Sequence, residues 1–240
     1  MVQGVMDRRI LVFTVHKAAS LGVAEVMRRV AKKEGWPLHS ANMKKASLVE
    51  PKAPGDVEFF SQLEGKTGLV GPIRMPVALA GKAASDKLIL NLRDPRDVLV
   101  SMFFSWGYSH PGVDKDLRAR LRSEGLDEFV LRESAALKEK YELYVRNYLS
   151  LPDTILLKYE DFVLDRPAWL SAFLRLCDID PEQRHYIRLG KNNPAAKVRE
   201  EDKFSHIRKA APGDHEEKLK AGTIAELNSA WANILPALGY

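Results

Sequence analysis

The feature that most constrains the fold of this chain is an apolar run that passes through a very short link into an amphipathic helix. Residues 10–15 (ILVFTV) are all apolar or β-branched. A run of this length is typical of a strand buried on both faces of a parallel sheet. From residue 21 to residue 31 the apolar residues follow a helical period instead. The apolar stripe of this helix consists of Leu21, Val23, Val26, Met27, Val30 and Ala31. The pattern predicts an α/β fold that begins with a strand, a tight turn and a helix.

The link itself, His16-Lys17-Ala18-Ala19-Ser20, is predicted to bind an anion. Because it is so short, the free N–H groups at the start of the helix and the ammonium group of Lys17 point into one small space. An ATP-binding P-loop requires G-x-x-x-x-G-K-[ST], whereas residues 11–20 contain the lysine and a hydroxyl but neither glycine. The missing glycines weaken the case for an ATP site and leave the kind of anion open.

The length and composition of the chain favour one globular domain over residues 1–240. The apolar content of 45% and the charged content of 29% are ordinary for such a domain. No stretch approaches the roughly 20 apolar residues of a membrane-spanning helix, and the first residues lack the apolar core of a signal peptide. We therefore expect a cytoplasmic protein without membrane contact. The single cysteine, Cys177, excludes an internal disulfide and is predicted to be a buried helical residue.

The excess of positive charge is modest and dispersed. There are 37 Lys and Arg against 32 Asp and Glu, which gives a net charge of +5. The basic residues are scattered along the chain, and no nucleic-acid-binding motif is present. A compact polyanionic ligand therefore explains the charge at least as well as a nucleic-acid partner does, and we expect no nucleic acid to bind.

A second strand and turn place an arginine where a ligand can reach it. Residues 87–92 (KLILNL) predict a buried strand, and residues 98–106 predict a helix that begins after Asp94 and Pro95. Arg93 then lies at the carboxyl end of the strand and Ser101 about one turn into the helix, so both can contact one phosphate. Two alternatives stay open: Arg93 pairs with Asp94 or Asp97, or Asp94 is the magnesium carboxylate of a Walker B strand in a nucleotide kinase.

The remaining elements follow from periodicity and turn signals. Residues 38–68 are predicted to be loops around a short helix near 57–63, followed by a short strand at 69–71 that ends at Pro72. A loop is expected at 107–114, a long helix at 127–150 with Tyr141, Tyr144 and Tyr148 packed inward, and a third strand at 154–158. Further helices are expected at 167–177, 181–189 and 223–235. Segments 38–86 and 107–126 are expected to form the walls of a substrate pocket.

Four ordered segments resemble the motifs of sulfotransferases that use 3′-phosphoadenosine-5′-phosphosulfate (PAPS). Residues 16–21 are similar to the 5′-phosphosulfate loop H-K-T-G-T-T, and residues 159–162 to the tetrad Y-E-D-hydrophobic. The segment R-x-P-x-D-x-x-x-S is complete in Arg93, Pro95, Asp97 and Ser101. The last segment, R-K-G-x-x-G-D-W, is matched at Arg208, Lys209, Gly213 and Asp214, whereas Ala210 and His215 depart from it.

This resemblance implies a fold, a donor and a reaction. The fold is a single-domain three-layer α/β sandwich with a mostly parallel central sheet, helices on both faces and a P-loop-like core. The donor is PAPS, without a metal ion, and its sulfuryl group passes to a hydroxyl, with an amine as second choice, of a small molecule or sugar. The alternatives are a nucleotide or small-molecule kinase and a non-enzymatic basic protein that binds nucleic acid. The cofactor-binding residues implied are Lys17, Ala18, Ala19, Ser20, Leu21, Arg93, Ser101, Tyr159, Arg208 and Lys209, with Lys17 also catalytic.

The general base is where the resemblance partly fails. Family members place a histidine in a K-T-H-x-P-like segment, and the matching stretch here, residues 72–76, has Arg74 at that position. Arginine stays protonated and cannot accept the proton of the acceptor, so Arg74 is expected to bind an anionic sulfate or acceptor. We predict His110 as the base because imidazoles titrate near neutral pH, although it could equally serve only to stabilise its turn. Glu50 and Glu58 are the alternatives, and nothing in the sequence indicates an oligomeric state.

Overall fold

A parallel five-stranded sheet forms the centre of the fold. The computed structural model describes residues 6–41, 46–193, 200–205 and 208–240. Within them the strand order is β2-β3-β1-β4-β5, and every pairing is parallel. The strands are β1 (Arg9–Thr14), β2 (Leu38–His39), β3 (Gly68–Ile73), β4 (Lys87–Leu92) and β5 (Thr154–Lys158). The predicted α/β class with a parallel sheet is confirmed.

Ten α-helices surround the sheet in the described part of the chain. None of them combines the length and apolar character that crossing a membrane would require. Two short segments, Phe59–Leu63 and Ser105–Ser109, form a 3-10 and a π-helical turn. The α-helices are α1 (Ser20–Glu34), α2 (Pro95–Phe104), α3 (Lys115–Glu124), α4 (Leu126–Asn147), α5 (Tyr159–Leu164), α6 (Arg166–Leu176), α7 (Arg184–Lys191), α8 (Asp214–Lys218), α9 (Ala221–Ala230) and α10 (Leu235–Leu238).

The helices form one layer on each face of the sheet. Leu11 and Phe13 of β1 belong to a core cluster that includes α2 and α4. Ile10 and Val12 belong to a second cluster that includes α1, α6 and α7. Because both faces of β1 are buried, the strand is continuously apolar and does not alternate with polar residues. The three-layer sandwich is therefore confirmed.

Strand β3 continues past the point where the sequence pattern was expected to end it. Pro72 lies inside β3, not after it, so the predicted boundary was wrong. Pairing passes from Leu11–Val70 directly to Phe13–Ile73, so the strand is irregular around this proline. Proline lacks an N–H donor and is tolerated in a sheet at such an irregularity.

Two helical boundaries also differ from the sequence pattern. Helix α3 was not predicted; its sequence, residues 115–124, is mostly charged, and only Leu121 is buried. Its start is fixed by Asp114, which caps the helix by accepting a hydrogen bond from the N–H of Leu117 at 2.8 Å. The helix expected at 223–235 is divided into α9 and α10, with Pro236 in the first turn of α10, where its missing N–H costs nothing.

Candidate active site

A cavity of about 680 Å³ opens at the carboxyl edge of the sheet. It is lined by the residues that directly follow four strands: His16 and Lys17 after β1, Arg74 after β3, Arg93 after β4 and Tyr159 after β5. Ligands of open α/β sheets bind at this edge. The predicted site residues that line the cavity are Lys17, Ala19, Ser20, Leu21, Arg74, Arg93, Ser101, His110, Tyr159, Arg208 and Lys209.

The turn after β1 has a strained backbone. Lys17 and Ala19 both have left-handed backbone conformations, with φ of 69° and 59°. This region costs a residue with a side chain roughly 1–2 kcal/mol, and the motif that the turn resembles has glycine at the position of Ala19. Helix α1 begins directly afterwards, at Ser20. Strain of this kind persists only where the surroundings fix the backbone, so we expect specific contacts that hold the turn in place.

Asn91, the second-last residue of β4, provides one of these contacts. Its side-chain amide donates to the carbonyl oxygen of Ala18 at 2.8 Å, and its side-chain oxygen accepts from the indole N–H of Trp169 at 2.9 Å. The hydroxyl of Thr14 donates to the Asn91 carbonyl at 2.9 Å. Ala18 is fully buried, and of the predicted cofactor-binding residues it alone is not among the described residues that line the cavity. Sequence reasoning missed Asn91, although a lone asparagine in an apolar strand was the available signal.

Lys17 projects into the cavity from this turn. Burial, followed by the charges of Arg93 and Arg208, lowers the pKa of its ammonium group to about 8. Three cations from separate elements therefore act on one region of the cavity. An anion bound there would relieve this repulsion and favour the charged form of Lys17.

Arg93 is buried and only partly paired. Its guanidinium donates to the carbonyl oxygen of Lys17 at 3.1 Å, lies 3.4 Å from a carboxylate oxygen of Asp97 and stacks 4.2 Å from the centre of the Tyr159 ring. The ion pair with Asp97 that the sequence suggested as an alternative is therefore present. It does not use all donors of Arg93, because the Nε atom has no partner among the described residues. A phosphate in the cavity would provide that missing acceptor.

The segment that carries Arg208 and Lys209 is attached to the start of α2. Asp97 accepts hydrogen bonds from the backbone N–H groups of Gly213 at 2.8 Å and His215 at 2.9 Å, and from the His215 ring at 2.8 Å. His215 stands where the resembled motif has tryptophan, and it is buried against this carboxylate. The cations of the segment thus reach the cavity wall from a backbone held by Asp97.

Carboxylates neutralise these cations in the described structure. Arg208 pairs with Glu201 and Asp214. Lys209 lies 3.3 Å from Asp214 and 2.5 Å from Glu217. A phosphate that binds Arg208 or Lys209 must therefore compete with an existing ion pair.

Arg74 and His110 also line the cavity. Arg74 donates from Nε and Nη2 to Glu50 at 3.0 and 2.8 Å. The Nδ1 atom of His110 accepts a hydrogen bond from the N–H of Gly112 at 3.1 Å. Glu58 is exposed just before the 3-10 turn. Neither Glu50 nor Glu58 is among the described residues that line the cavity.

The walls of the cavity differ from those expected. Of segments 38–86 and 107–126, only Arg74, Ser109 and His110 line it among the described residues, and residues 42–45 of the expected wall lie outside the described part. Instead, α4 contributes Glu133, Ala136, Leu137 and Lys140. The helix was predicted, but its position over the cavity depends on long-range packing that the sequence pattern does not contain.

Arg166, at the start of α6, is a further cavity residue that sequence reasoning missed. Its side chain is almost fully buried, and the guanidinium lies 4.1 Å from the centre of the Phe162 ring. Its Nε and Nη1 atoms have no hydrogen-bond partner within the described residues. Burial, with a contribution from Arg29, lowers the pKa of Arg166 to about 10.

The fold is similar to solved structures, although no similarity was found at the level of sequence. No family model matches the chain, and no curated protein matches it. A crystal structure of mouse sulfotransferase SULT7A1 complexed with PAP is 15% identical, with 95% of this chain and 85% of that chain covered and a TM-score of 0.64. Retinol dehydratase in complex with androsterone and inactive cofactor PAP is 13% identical, with 97% and 82% covered and a TM-score of 0.64. Retinol dehydratase in complex with retinol and PAP is 12% identical, with 97% and 82% covered and a TM-score of 0.56. The chain therefore has the fold of these proteins.

Proposed function

We propose that this protein is a PAPS-dependent sulfotransferase, which transfers a sulfuryl group to a hydroxyl of a small-molecule or sugar acceptor. The observation that carries the proposal is the placement of two sets of anion-binding groups in one cavity. Lys17 and the start of α1 form the first set, and Arg93, Ser101 and Arg208 form the second. A ligand with two separate anionic groups, such as adenosine 3′,5′-bisphosphate or PAPS, matches this arrangement.

The chain's own residues have distinct roles in this proposal. PAPS would supply an activated sulfuryl group on its 5′-phosphate. Ser20, Leu21 and the backbone of the strained turn would hold the 5′ end, and Lys17 would stabilise charge on the bridging oxygen. Arg93, Ser101, Arg208 and Lys209 would hold the 3′-phosphate, with the unpaired Nε of Arg93 as one donor. Tyr159 would contact the adenosine. Transfer of a singly charged group asks less of a metal than phosphoryl transfer does, and we propose no metal.

We propose His110 as the general base that accepts the proton of the acceptor hydroxyl. It lines the cavity, as Lys17 and Arg74 do. The hydrogen bond from Gly112 to Nδ1 places the proton of the neutral ring on Nε2. To accept a proton at Nε2, the ring must adopt the other tautomer, which has a free lone pair there. That tautomer loses only the hydrogen bond from Gly112, at a cost of about 1 kcal/mol. Glu50 is engaged by Arg74, and neither Glu50 nor Glu58 is among the described residues that line the cavity, so both are weaker candidates.

Calorimetry with three nucleotides tests the proposed function. Adenosine 3′,5′-bisphosphate is expected to bind at least about 100-fold more tightly than 5′-AMP, because two charge-assisted contacts to the 3′-phosphate contribute roughly 1.5–3 kcal/mol each. Ser101→Ala and Arg208→Gln should reduce this preference without changing the affinity for 5′-AMP.

Two other outcomes would contradict the proposal. Tighter binding of Mg-ATP than of the bisphosphate would favour a kinase. Tight binding of long polyanions with a steep salt dependence, and no preference for the bisphosphate, would favour a nucleic-acid-binding protein.

A further inference from the structure

Five of the cations that line the cavity divide into two groups by the elements that carry them and by the residues on which they act. Lys17, Arg93 and Arg208 surround the proposed nucleotide region. Arg74, which follows β3, and Lys140, on α4, line the same cavity from other elements. The second group is not needed to hold either phosphate of the nucleotide, so its charge calls for another explanation.

Lys140 is the least neutralised member of this second group. Arg74 is paired with Glu50, whereas Lys140 forms no ion pair within 4 Å in the described part of the chain. Burial lowers the pKa of Lys140, while the carboxylates of Glu139 and Glu133 act against this shift. A partly buried ammonium group without a direct counter-charge is costly unless a ligand supplies one.

The electrostatic surroundings of two adjacent residues separate the groups. The pKa of Lys17 responds to the charges of Arg93 and Arg208. Partial burial, followed by the charges of Arg74, Lys140, Lys17 and His110, lowers the pKa of the neighbouring His16 to about 4. His16 is therefore uncharged at neutral pH, and it lies on the side of Arg74 and Lys140. The charges of Arg74 and Lys140 thus affect His16, whereas those of Arg93 and Arg208 affect Lys17.

The wall next to these cations is largely apolar. Apart from Phe104, whose ring lies against Arg208, the apolar side chains that line the cavity from α2, the following π-helical turn and α4 are Met102, Trp106, Ala136 and Leu137. A ligand that complements Arg74, Lys140 and these apolar side chains therefore has an apolar body and a negatively charged group. Polar groups placed at a few points on an apolar wall are what fix the orientation of small ligands.

We propose that the sulfate acceptor is a hydroxylated molecule that itself carries an anionic group, such as a carboxylate, bound by Lys140 and Arg74, with its apolar part against the α2 and α4 wall. This inference rests on the proposed function and specifies the acceptor class. The anionic group remains unchanged in the reaction, and its contact with Lys140 orients the hydroxyl towards the sulfuryl group.

Binding to the protein saturated with adenosine 3′,5′-bisphosphate tests this inference. The probes are 4-hydroxyphenylacetate and 3-(4-hydroxyphenyl)propionate, each compared by calorimetry with its uncharged primary amide. We expect at least one acid to bind about tenfold more tightly than its amide, the effect of one charge-assisted contact of about 1.5 kcal/mol. Lys140→Met should remove this difference and leave the affinity of the amide unchanged.

Lys138→Met is the matched control. It removes the same charge from the same helix, but Lys138 pairs with Glu142 at 3.5 Å and does not line the cavity. The Lys138→Met variant should prefer the acid over the amide by the same factor as the unmodified protein does. Equal affinities for acid and amide in both pairs, no binding of either acid, or equal effects of the two substitutions would overturn the inference. Because bisphosphate binding is measured first, its absence would instead refute the proposed function, and this inference with it.

Discussion

Replacing Asp97 by asparagine is expected to destabilise the fold and release the segment that carries Arg208. The Asp97 side chain is completely buried and accepts three hydrogen bonds, from the N–H of Gly213 and from the backbone and ring of His215. Its second oxygen also lies 3.4 Å from Arg93. Asparagine has one acceptor oxygen, so its NH2 group must face either Gly213 and Arg93 or His215, all of which are donors.

The size of the effect follows from these contacts. Asp97→Asn loses at least one hydrogen bond to a charged acceptor, and it leaves the buried charge of Arg93 without its nearest carboxylate. Hydrogen bonds to charged groups contribute about 1.5–3 kcal/mol, and removal of one partner from a buried ion pair costs about 3–5 kcal/mol. We therefore expect a loss of roughly 3 kcal/mol in the free energy of unfolding at pH 7.

The stability difference should also depend on pH. Burial opposes the charge of Asp97, but the hydrogen bonds from His215 and the charge of Arg93 hold the pKa of this carboxyl well below its ordinary value. A group whose pKa is lower in the folded state stabilises the protein above its unfolded pKa of about 3.9 and loses that contribution as the pH falls. The difference in the free energy of unfolding between the unmodified protein and the Asp97→Asn variant should decrease by about 1 kcal/mol as the pH falls from 5 to 3.

Urea unfolding followed by circular dichroism at several pH values measures both quantities. Asp114→Asn is the control, since Asp114 is an exposed helix cap and asparagine caps helices about equally well. It should change the free energy of unfolding by less than about 0.5 kcal/mol. A loss below about 1 kcal/mol for Asp97→Asn, or a gap that is constant with pH, would refute the role assigned to Asp97.

Three further results are expected from the residues proposed to act in sulfuryl transfer. Lys17→Ala should leave a folded protein whose sulfate transfer is slower by roughly two to three orders of magnitude, and unchanged turnover would remove Lys17 from the chemistry. The pKa of Lys17 is about 8, so its ammonium group loses its charge as the pH rises above that value, and the affinity for the anionic bisphosphate should fall. The Lys17→Ala variant should not show this pH dependence. Titration calorimetry from pH 7 to pH 10 checks both expectations. His110→Gln should lower turnover about 100-fold with nearly unchanged bisphosphate affinity, whereas a normal rate combined with an inactive Glu50→Gln or Glu58→Gln would move the base to that carboxylate.

The parts of the fold that were predictable are those determined by local sequence. The apolar runs at residues 10–15 and 87–92 indicated β1 and β4 because strands buried on both faces need no polar residues. Asp94 and Pro95 indicated the start of α2 because both stabilise a first helical turn, and Asp94 accepts from the N–H of Arg96 at 2.9 Å. The placement of Lys17, Arg93 and Tyr159 at one edge followed from the parallel sheet alone.

The parts that were not predictable depend on packing between distant segments. Lys140 and Arg166 come from helices whose periodicity was recognisable, but periodicity does not say which helix covers the carboxyl edge of the sheet. Helix α3 has too few apolar residues for a clear pattern. Arg208 forms ion pairs with Glu201 and Asp214, and the order of charged residues along the sequence does not indicate which of them pair.

Two of the departures from the sulfotransferase motifs, at Ala19 and His215, are each accompanied by a polar contact from elsewhere in the chain. Ala19 replaces a glycine, and the resulting strain of roughly 1–2 kcal/mol is opposed by hydrogen bonds that Asn91 and Arg93 donate to the carbonyl oxygens of the same turn. His215 replaces a tryptophan, and its ring is bound to Asp97 at 2.8 Å. Each net hydrogen bond contributes about 1 kcal/mol, which is comparable with the cost of the substitution that it accompanies. A turn and a loop can therefore keep their positions while the residues that usually identify them change.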